Sequence, residues 1–258
     1  MMAIHPTAVV DRHAELDPTV EIGAFAVIGP KVRIGARTRV GPHAVIEGDT
    51  TIGEGNVIFQ FAAVGAIPQD LKYAGEATRL VIGDANQIRE FATVHIGTAG
   101  GGGVTRVGNH CLLMANSHVA HDVQLADGCI LANSAALAGH VAVEDRVTFG
   151  GLSAVHQFTR IGRLAFISGG AMVTQDVPPY VTVQGDRAEV VGINTVGLTR
   201  AHFSNEQQSR VKDAFKILYR SKLGFREAIA HVRAEHGGTE EIDHLVAFLE
   251  NSERGIAR

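Results

Sequence analysis

Between positions 118 and 157 the chain concentrates side chains able to do acid–base chemistry: His118, His121, Asp122, His140, His156 and Gln157. An imidazole titrates near neutral pH and can take a proton from a hydroxyl, and a neighbouring carboxylate fixes its tautomer and stabilises its cation. His121 and Asp122 supply such a pair, provided that their side chains meet. Gly139 offers a backbone N–H unobstructed by a Cβ, a donor suited to a developing oxyanion. No hydroxyl or thiol nucleophile stands beside this base, and the two cysteines, Cys111 and Cys129, fall on inward positions of the pattern described next. The residues therefore favour direct transfer over a covalent intermediate. Another chemistry stays open, because His118 and His121 are three residues apart and three protein ligands with an open fourth position would make a zinc site.

These residues are carried by a period of six. From Val107 to Val173 every sixth residue is apolar, and the same sixes run from Ile4 to Val64 and resume at Ile82, Ile88 and Val94. The fifth residue of each is small or apolar, from Cys111 to Val177. Fifth and first positions lie two apart across each junction, the period of a strand with both side chains inward. So short a unit buries its apolar side only against copies of itself, which predicts a mainly β chain wound as a parallel β-solenoid. Glycine recurs at the second position, as at Gly23, Gly41, Gly83 and Gly162, where a sharp bend is expected to need a residue free of Cβ strain. The pattern resembles the hexapeptide-repeat acyltransferases, which implies a left-handed parallel β-helix with three-sided coils of eighteen residues. With that coil, His121, Gly139 and Gln157 stack in one column and Asp122, His140 and Phe158 in the next, about 4.8 Å apart from coil to coil. The cluster is expected to face outward.

Two stretches break the sixes: a polar one at 66–81, with Pro68, and a glycine-rich one at 99–106. Loops inserted into a solenoid project from an edge and commonly line a cleft, although such insertions are also tolerated without function. No Walker-type lysine and hydroxyl follow the glycines, so they do not read as a phosphate cradle. The repeat stops after Pro178 and Pro179, which assigns residues 1–185 to the β-helix and 186–258 to a small α-helical C-terminal domain. There Ser204 with Gln207 makes a capping box, Val211, Phe215, Leu218 and Tyr219 share a face, and Phe225–His236 and Thr239–Asn251 read as two more helices, the latter with Thr239 as N-cap. With 45% hydrophobic and 5% aromatic residues the core is built without large rings, and a net charge of -4 gives no sign of a nucleic-acid or membrane-surface partner. Met1 to Val10 lack a basic segment followed by an apolar run, and no stretch of eighteen apolar residues occurs, so a soluble cytoplasmic protein with no membrane span is expected.

Five segments carry a closer resemblance: QDLKYAGE (69–76), LLMANSHVAHD (112–122), CILANSAALAGHV (129–141), GGLSAVHQF (150–158) and QDVPPYV (175–181). They resemble the acyl-[acyl carrier protein]–UDP-N-acetylglucosamine O-acyltransferases, over nearly the whole chain. The resemblance implies transfer of an (R)-3-hydroxyacyl chain, carried on the phosphopantetheine of acyl carrier protein, to the 3-hydroxyl of UDP-N-acetylglucosamine, the first step of lipid A biosynthesis. It also implies a cytoplasmic homotrimer with sites between subunits and neither cofactor nor metal. Carried onto matching positions, His121 is the general base, Asp122 its orienting carboxylate and Gly139 the oxyanion donor. Gln69, Asp70, Lys72, His118, His140, His156 and Gln157 hold the sugar nucleotide, and Asn194 and Arg200 reach the nucleotide or the carrier. Gly169 stands where the family sets acyl length, and a glycine there implies an open groove and a longer chain. Three positions depart from the family pattern: Ile96 and Ala201 replace arginines and Val196 replaces an acid, which leaves the uracil and phosphate contacts open, as it does the role of His95. Two alternatives remain at this level, an N-acyltransferase using a 3-amino-sugar nucleotide and a histidine–zinc enzyme of the carbonic-anhydrase kind.

Overall fold

The computed structural model describes residues 3–258. Short strands, most of two residues, stack in register into three parallel sheets that form the faces of a left-handed parallel β-helix. Along the chain the first face begins with Ala3–Ile4, the second with Val9–Val10 and the third with Glu15–Leu16. Ile4 pairs with Ile22, Val40 with Ile58 and Leu113 with Leu131, a step of 18 residues wherever no loop intervenes. First-position residues such as Ile28, Ile58, Leu113 and Leu137 and fifth-position residues such as Cys111, Cys129 and Ala135 are buried in one continuous aliphatic column. Each fully buried Ile, Leu or Val contributes about 1.5–3 kcal/mol relative to exposure, so the column holds the coils together without large rings.

The corners correct one expectation. The second-position glycines do not have left-handed backbone; the fourth residue of a corner does, as at Asp122 (φ 61), His140 (φ 63) and Phe158 (φ 65). Glycine is needed at the second position because the next coil passes so close. A Cβ on Gly23 would stand 2.7 Å from the nitrogen of Pro42, and one on Gly41 2.8 Å from that of Gln60.

The insertions are shorter than their polar sequence implied. Arg79–Ile82 and Val104–Val107 are strands of the third face, so the interruptions end at 78 and 103 rather than at 81 and 106. Their inward residues are Leu80, Ile82, Thr105 and Val107, and the outward Arg79 and Arg106 made the segments read as loop. Ile58 pairs with Ile88 and Ile82 with Val107, so the coil step lengthens to 30 and 25 residues where the loops leave and return in register.

Past residue 185 the chain does not turn helical at once. Val181–Gln184 doubles back as the antiparallel strand Glu189–Ile193, closing the first face. Four helices follow: α1 (Thr195–Arg200), α2 (Asn205–Arg220), α3 (Phe225–His236) and α4 (Glu240–Glu250). The Ser204–Gln207 capping box is present at α2. Thr239 occupies the N-cap of α4 but its hydroxyl donates to the His236 carbonyl, so the acids Glu240, Glu241 and Asp243 in the first turn balance the helix dipole instead. Leu198, Val211, Val232, Ile242, Leu245 and Leu249 form a second core around Tyr180. Arg163 to Glu240 at 2.8 Å and His244 to Glu144 at 2.7 Å tie the helices to the β-helix. Among the described residues no helix is long and apolar enough to cross a membrane.

Candidate active site

The edge where the second face turns into the third carries the polar cluster. His118 ends the second face on the strand His118–Val119, and His121 and Asp122 form the corner before Gln124–Leu125 begins the third. One coil on, the His140 N–H donates to the His121 carbonyl, and the Phe158 N–H donates to that of Gly139 another coil on. Stacking thus places His121, Gly139 and Gln157 in one column and Asp122, His140 and Phe158 in the next.

Asp122 departs from the expected outward orientation: it is 3% exposed. Its left-handed backbone turns the carboxylate under the glycine-rich loop, where the Thr98 N–H donates to Oδ1 at 2.9 Å and the Thr98 hydroxyl to Oδ2 at 2.6 Å. Its own N–H donates to the Thr105 hydroxyl at 2.7 Å. A Cβ on Gly101 would overlap this carboxylate, so the glycines allow the loop to cover Asp122. With both oxygens receiving protons from Thr98, the remaining contact, His121 Nδ1 to Oδ2 at 2.9 Å, is a donation from the ring. The neutral His121 therefore carries its proton on Nδ1 and a free lone pair on Nε2, the arrangement of a general base.

Nε2 lies over Gly139. A Cβ there would stand 2.7 Å from Nε2 and 2.5 Å from Cε1 of His121, so only glycine leaves the ring its place. The N–H of Gly139 makes no hydrogen bond among the described residues and stays available to an oxyanion.

His140 meets His121 edge to face at 5.0 Å and stacks on Phe158 at 4.3 Å. Burial pushes its pKa below the usual imidazole value and the charge of His121 lowers it further, against the carboxylates of Asp122 and Asp70, which raise it. The first inserted loop reaches this edge through the glycine-rich loop, which it meets at Glu76 and which covers Asp122 through Thr98. Asp70 accepts from the Lys72 N–H, while Gln69 and Lys72 project into solvent with no partner among the described residues. Glu76 accepts from the N–H groups of Ala74 and Ala99 and so joins the two loops. His118 Nδ1 lies 2.7 Å from the Thr93 hydroxyl, and burial followed by the charge of His121 lowers its pKa. Beneath it His95 is 4% exposed and edge-on to His118 at 4.9 Å, and burial, then His118 and His121, push it down to about 4. His95 is thus a neutral ring under the site. Ile96 is buried in the core.

His156 and Gln157 are exposed on the third coil of this edge. Asn194, Arg200 and Gly169 are elsewhere. Asn194 caps α1 by accepting from the Gly197 N–H and donates to the Leu164 carbonyl, and with Arg200, Val196 and Ala201 it lines a 700 Å³ cavity along the first face, beside its edge with the third. Gly169 is exposed on the edge between first and second faces. One chain therefore presents the expected functional positions on three separate edges. A 1190 Å³ cavity between 186–189, α3 and the C-terminal tail contains none of the histidines.

The cluster His121, Asp122 and His140 has ligand atoms within 4.8 Å of one another, a spacing a metal ion could use. The donor set argues against that use by this trio, because the Asp122 carboxylate already accepts from the Thr98 N–H, the Thr98 hydroxyl and His121.

Nothing in the sequence marks Thr98, Glu76 or Thr93 as part of the site. Thr98 lies 24 residues before Asp122, and only the looping of the glycine-rich insertion joins them. Replacing Thr98 by Val removes one of three donors on the Asp122 carboxylate and keeps the Thr98 N–H and the His121 ring. The expected result is a fall of about tenfold in kcat with the KM for acceptor little changed, since a hydrogen bond to a charged group contributes about 1.5–3 kcal/mol. An unchanged kcat in steady-state assays would show that the hydroxyl does not hold the base in place.

Comparison with known proteins places the whole chain. Residues 176–257 match the model described as UDP-N-acetylglucosamine O-acyltransferase, domain 2, and 13–48 and 105–139 match that of the bacterial transferase hexapeptide. The acyl-[acyl-carrier-protein]–UDP-N-acetylglucosamine O-acyltransferase of Myxococcus xanthus is 63% identical over 258 residues, all of both chains, and that of Herminiimonas arsenicoxydans 52%, again over the full length of both. The crystal structure of the UDP-N-acetylglucosamine O-acyltransferase of Moraxella catarrhalis superposes with a TM-score of 0.95 at 40% identity, covering 99% of each chain.

Proposed function

Because the chain belongs to the acyl-[acyl-carrier-protein]–UDP-N-acetylglucosamine O-acyltransferase family, we propose that the Thr98–Asp122–His121 relay beside Gly139 is its catalytic centre. The protein is an acyltransferase that moves an acyl chain from acyl carrier protein to UDP-N-acetylglucosamine, the first step of lipid A biosynthesis. What carries the assignment of the site is the His121 ring, with Nδ1 bound to Asp122 and its lone pair on Nε2 over Gly139.

In the proposed reaction His121 Nε2 takes the proton of the sugar 3-hydroxyl as that oxygen attacks the thioester carbon of an (R)-3-hydroxyacyl chain on phosphopantetheine. The carbonyl oxygen becomes an oxyanion facing the Gly139 N–H. Collapse expels the pantetheine thiolate, which receives the proton from the His121 cation and leaves as thiol. No covalent enzyme intermediate, metal or cofactor takes part. The engaged donor set of Asp122 supports the metal-free route, and the burial of both cysteines supports direct transfer. Asp70, His118, His140, His156 and Gln157 face the acceptor together with Gln69 and Lys72. Asn194, Arg200 and Gly169 lie on other edges, which supports a homotrimer in which a neighbouring copy brings them to the His121 edge. The cytoplasm, where nucleotide sugars and acyl carrier protein are made, is the proposed location.

Gly169 supports a long acyl chain. Its φ is outside the left-handed region and a Cβ there would stand 3.4 Å from the Gly151 carbonyl, an ordinary contact, so a larger side chain would project from the edge without straining the fold. The test is a panel of (R)-3-hydroxyacyl carrier proteins of graded length with UDP-N-acetylglucosamine, run with and without chelator. Wild type is expected to prefer the longer donors regardless of chelator, and Gly169→Met to shift the preference shorter. An unchanged ranking in the variant removes Gly169 from acyl selection, and loss of activity on chelation overturns the metal-free mechanism.

A further inference from the structure

His156 Nδ1 lies 2.8 Å from a terminal nitrogen of Arg254 and 3.0 Å from the Gln157 carbonyl oxygen. One nitrogen cannot bond both: the carbonyl requires a proton on Nδ1, whereas the guanidinium requires a lone pair there. A guanidinium has donors and no acceptor and stays protonated at any working pH, so two N–H groups would face each other at 2.8 Å if Nδ1 kept its proton. The lone pair is therefore on Nδ1 and the proton of the neutral ring on Nε2.

We propose that Arg254 is a positioning residue for acyl transfer: it fixes His156 as the Nε2–H tautomer, so that this edge presents a hydrogen-bond donor to an oxygen of the sugar nucleotide. The inference rests on the reading above that His156 contacts the acceptor. Arg254 is built into this position. Its Nε donates to the Thr174 carbonyl at 2.9 Å, and it makes no ion pair among the described residues. The chain on either side is pinned to the end of the β-helix: the Ser252 hydroxyl donates to Asp176 Oδ2 at 2.8 Å, the Asp176 N–H to the Gly255 carbonyl at 2.8 Å, and the Ala257 N–H to the Asp176 carbonyl at 2.9 Å. The half-buried guanidinium is thus spent on a carbonyl and an imidazole. Beside it a 590 Å³ cavity lined by Phe158, Arg160 and Arg254 continues the edge, and Phe158 stacks on His140. The tail that closes the helical domain thereby reaches, 98 residues along the chain from His156, into the acceptor end of the catalytic edge.

Arg254→Met keeps the apolar stem and removes the donors. The expected result is a rise of about tenfold in KM for UDP-N-acetylglucosamine with kcat within about threefold, the loss of one charge-assisted hydrogen bond. In protein labelled with ¹⁵N-histidine, the His156 Nδ1 resonance leaves the range of a lone-pair nitrogen for that of a tautomer mixture, and Arg254→Lys, which keeps a donor, restores part of both effects. In a His156→Ala background Arg254→Met adds nothing further to KM. An Nδ1 resonance unchanged by Arg254→Met overturns the proposal, as does an additive rise in the double variant or a fall in melting temperature with no change in KM. If His156→Ala alone leaves KM unchanged, the assignment of His156 to the acceptor fails, while the resonance still decides whether Arg254 sets the tautomer.

Discussion

Replacing His121 by Ala lowers kcat for acyl transfer by about 10²–10⁴, the range over which a positioned general base contributes. The loss falls on kcat because, in the proposed reaction, the ring's lone pair acts on a proton that is moved only as the ester forms, and binding of the sugar nucleotide is assigned to other residues, Asp70, His118, His140, His156 and Gln157. The fold is expected to tolerate the change. Asp122, the buried partner, keeps the Thr98 N–H and hydroxyl, so its carboxylate is not left without donors when the imidazole goes. The His121 side chain is 14% exposed and lies on an edge, outside the aliphatic column that holds the coils together. Acyl transfer and thermal unfolding measured on one preparation separate the two effects. A kcat within threefold of wild type would remove His121 from the chemistry and leave the β-helix as a binding scaffold with its base elsewhere.

How far the sequence reached follows from what repeats and what does not. The period of six placed Leu113, Leu131, Leu137 and the two cysteines inward, because each coil repeats the environment of the one before. The same arithmetic stacked Asp122, His140 and Phe158, yet gave Asp122 the wrong side of the surface. The repeat fixes where a backbone position falls, but the cover over Asp122 comes from Gly101 and Thr98 in an inserted loop, outside the repeat. Thr105 and Arg79 show the converse: strand residues read as loop because a polar side chain on a short strand leaves no alternation to detect. The bend glycines were found for the wrong cause, since closeness between coils leaves no mark in a single coil's dihedral preferences. The helical domain was legible where caps are local, as at Ser204, and not where its contact is distant, as with Arg254 and His156.

Gly139→Ala separates geometry from chemistry, since it adds one methyl group and removes no functional group. The backbone at 139 is not left-handed, so alanine brings no torsional strain there. Its Cβ, however, would stand 2.5 Å from Cε1 and 2.7 Å from Nε2 of His121, closer than real Cβ contacts come. The backbone around 139 is fixed by its coil neighbours, with the His140 N–H on the His121 carbonyl at 3.1 Å and the Phe158 N–H on the Gly139 carbonyl at 3.2 Å. The imidazole is the part free to move, and moving it breaks the 2.9 Å bond to Asp122, which loses both the tautomer and the aim of Nε2. The methyl group would also crowd the position from which the Gly139 N–H meets the oxyanion of the proposed reaction. Loss of a single oxyanion donor costs about 10²–10³ in kcat, and misplacement of the base adds to it, so Gly139→Ala is expected to approach the His121→Ala variant in rate. The two effects are not additive, because both act through one ring: in a His121→Ala background the added methyl has no imidazole to displace, and only the oxyanion part of the loss remains. Acyl-transfer rates of the two single variants and the double, compared as a cycle, decide the point. Full additivity would mean that Gly139 serves the oxyanion alone and that the ring can move aside without leaving Asp122.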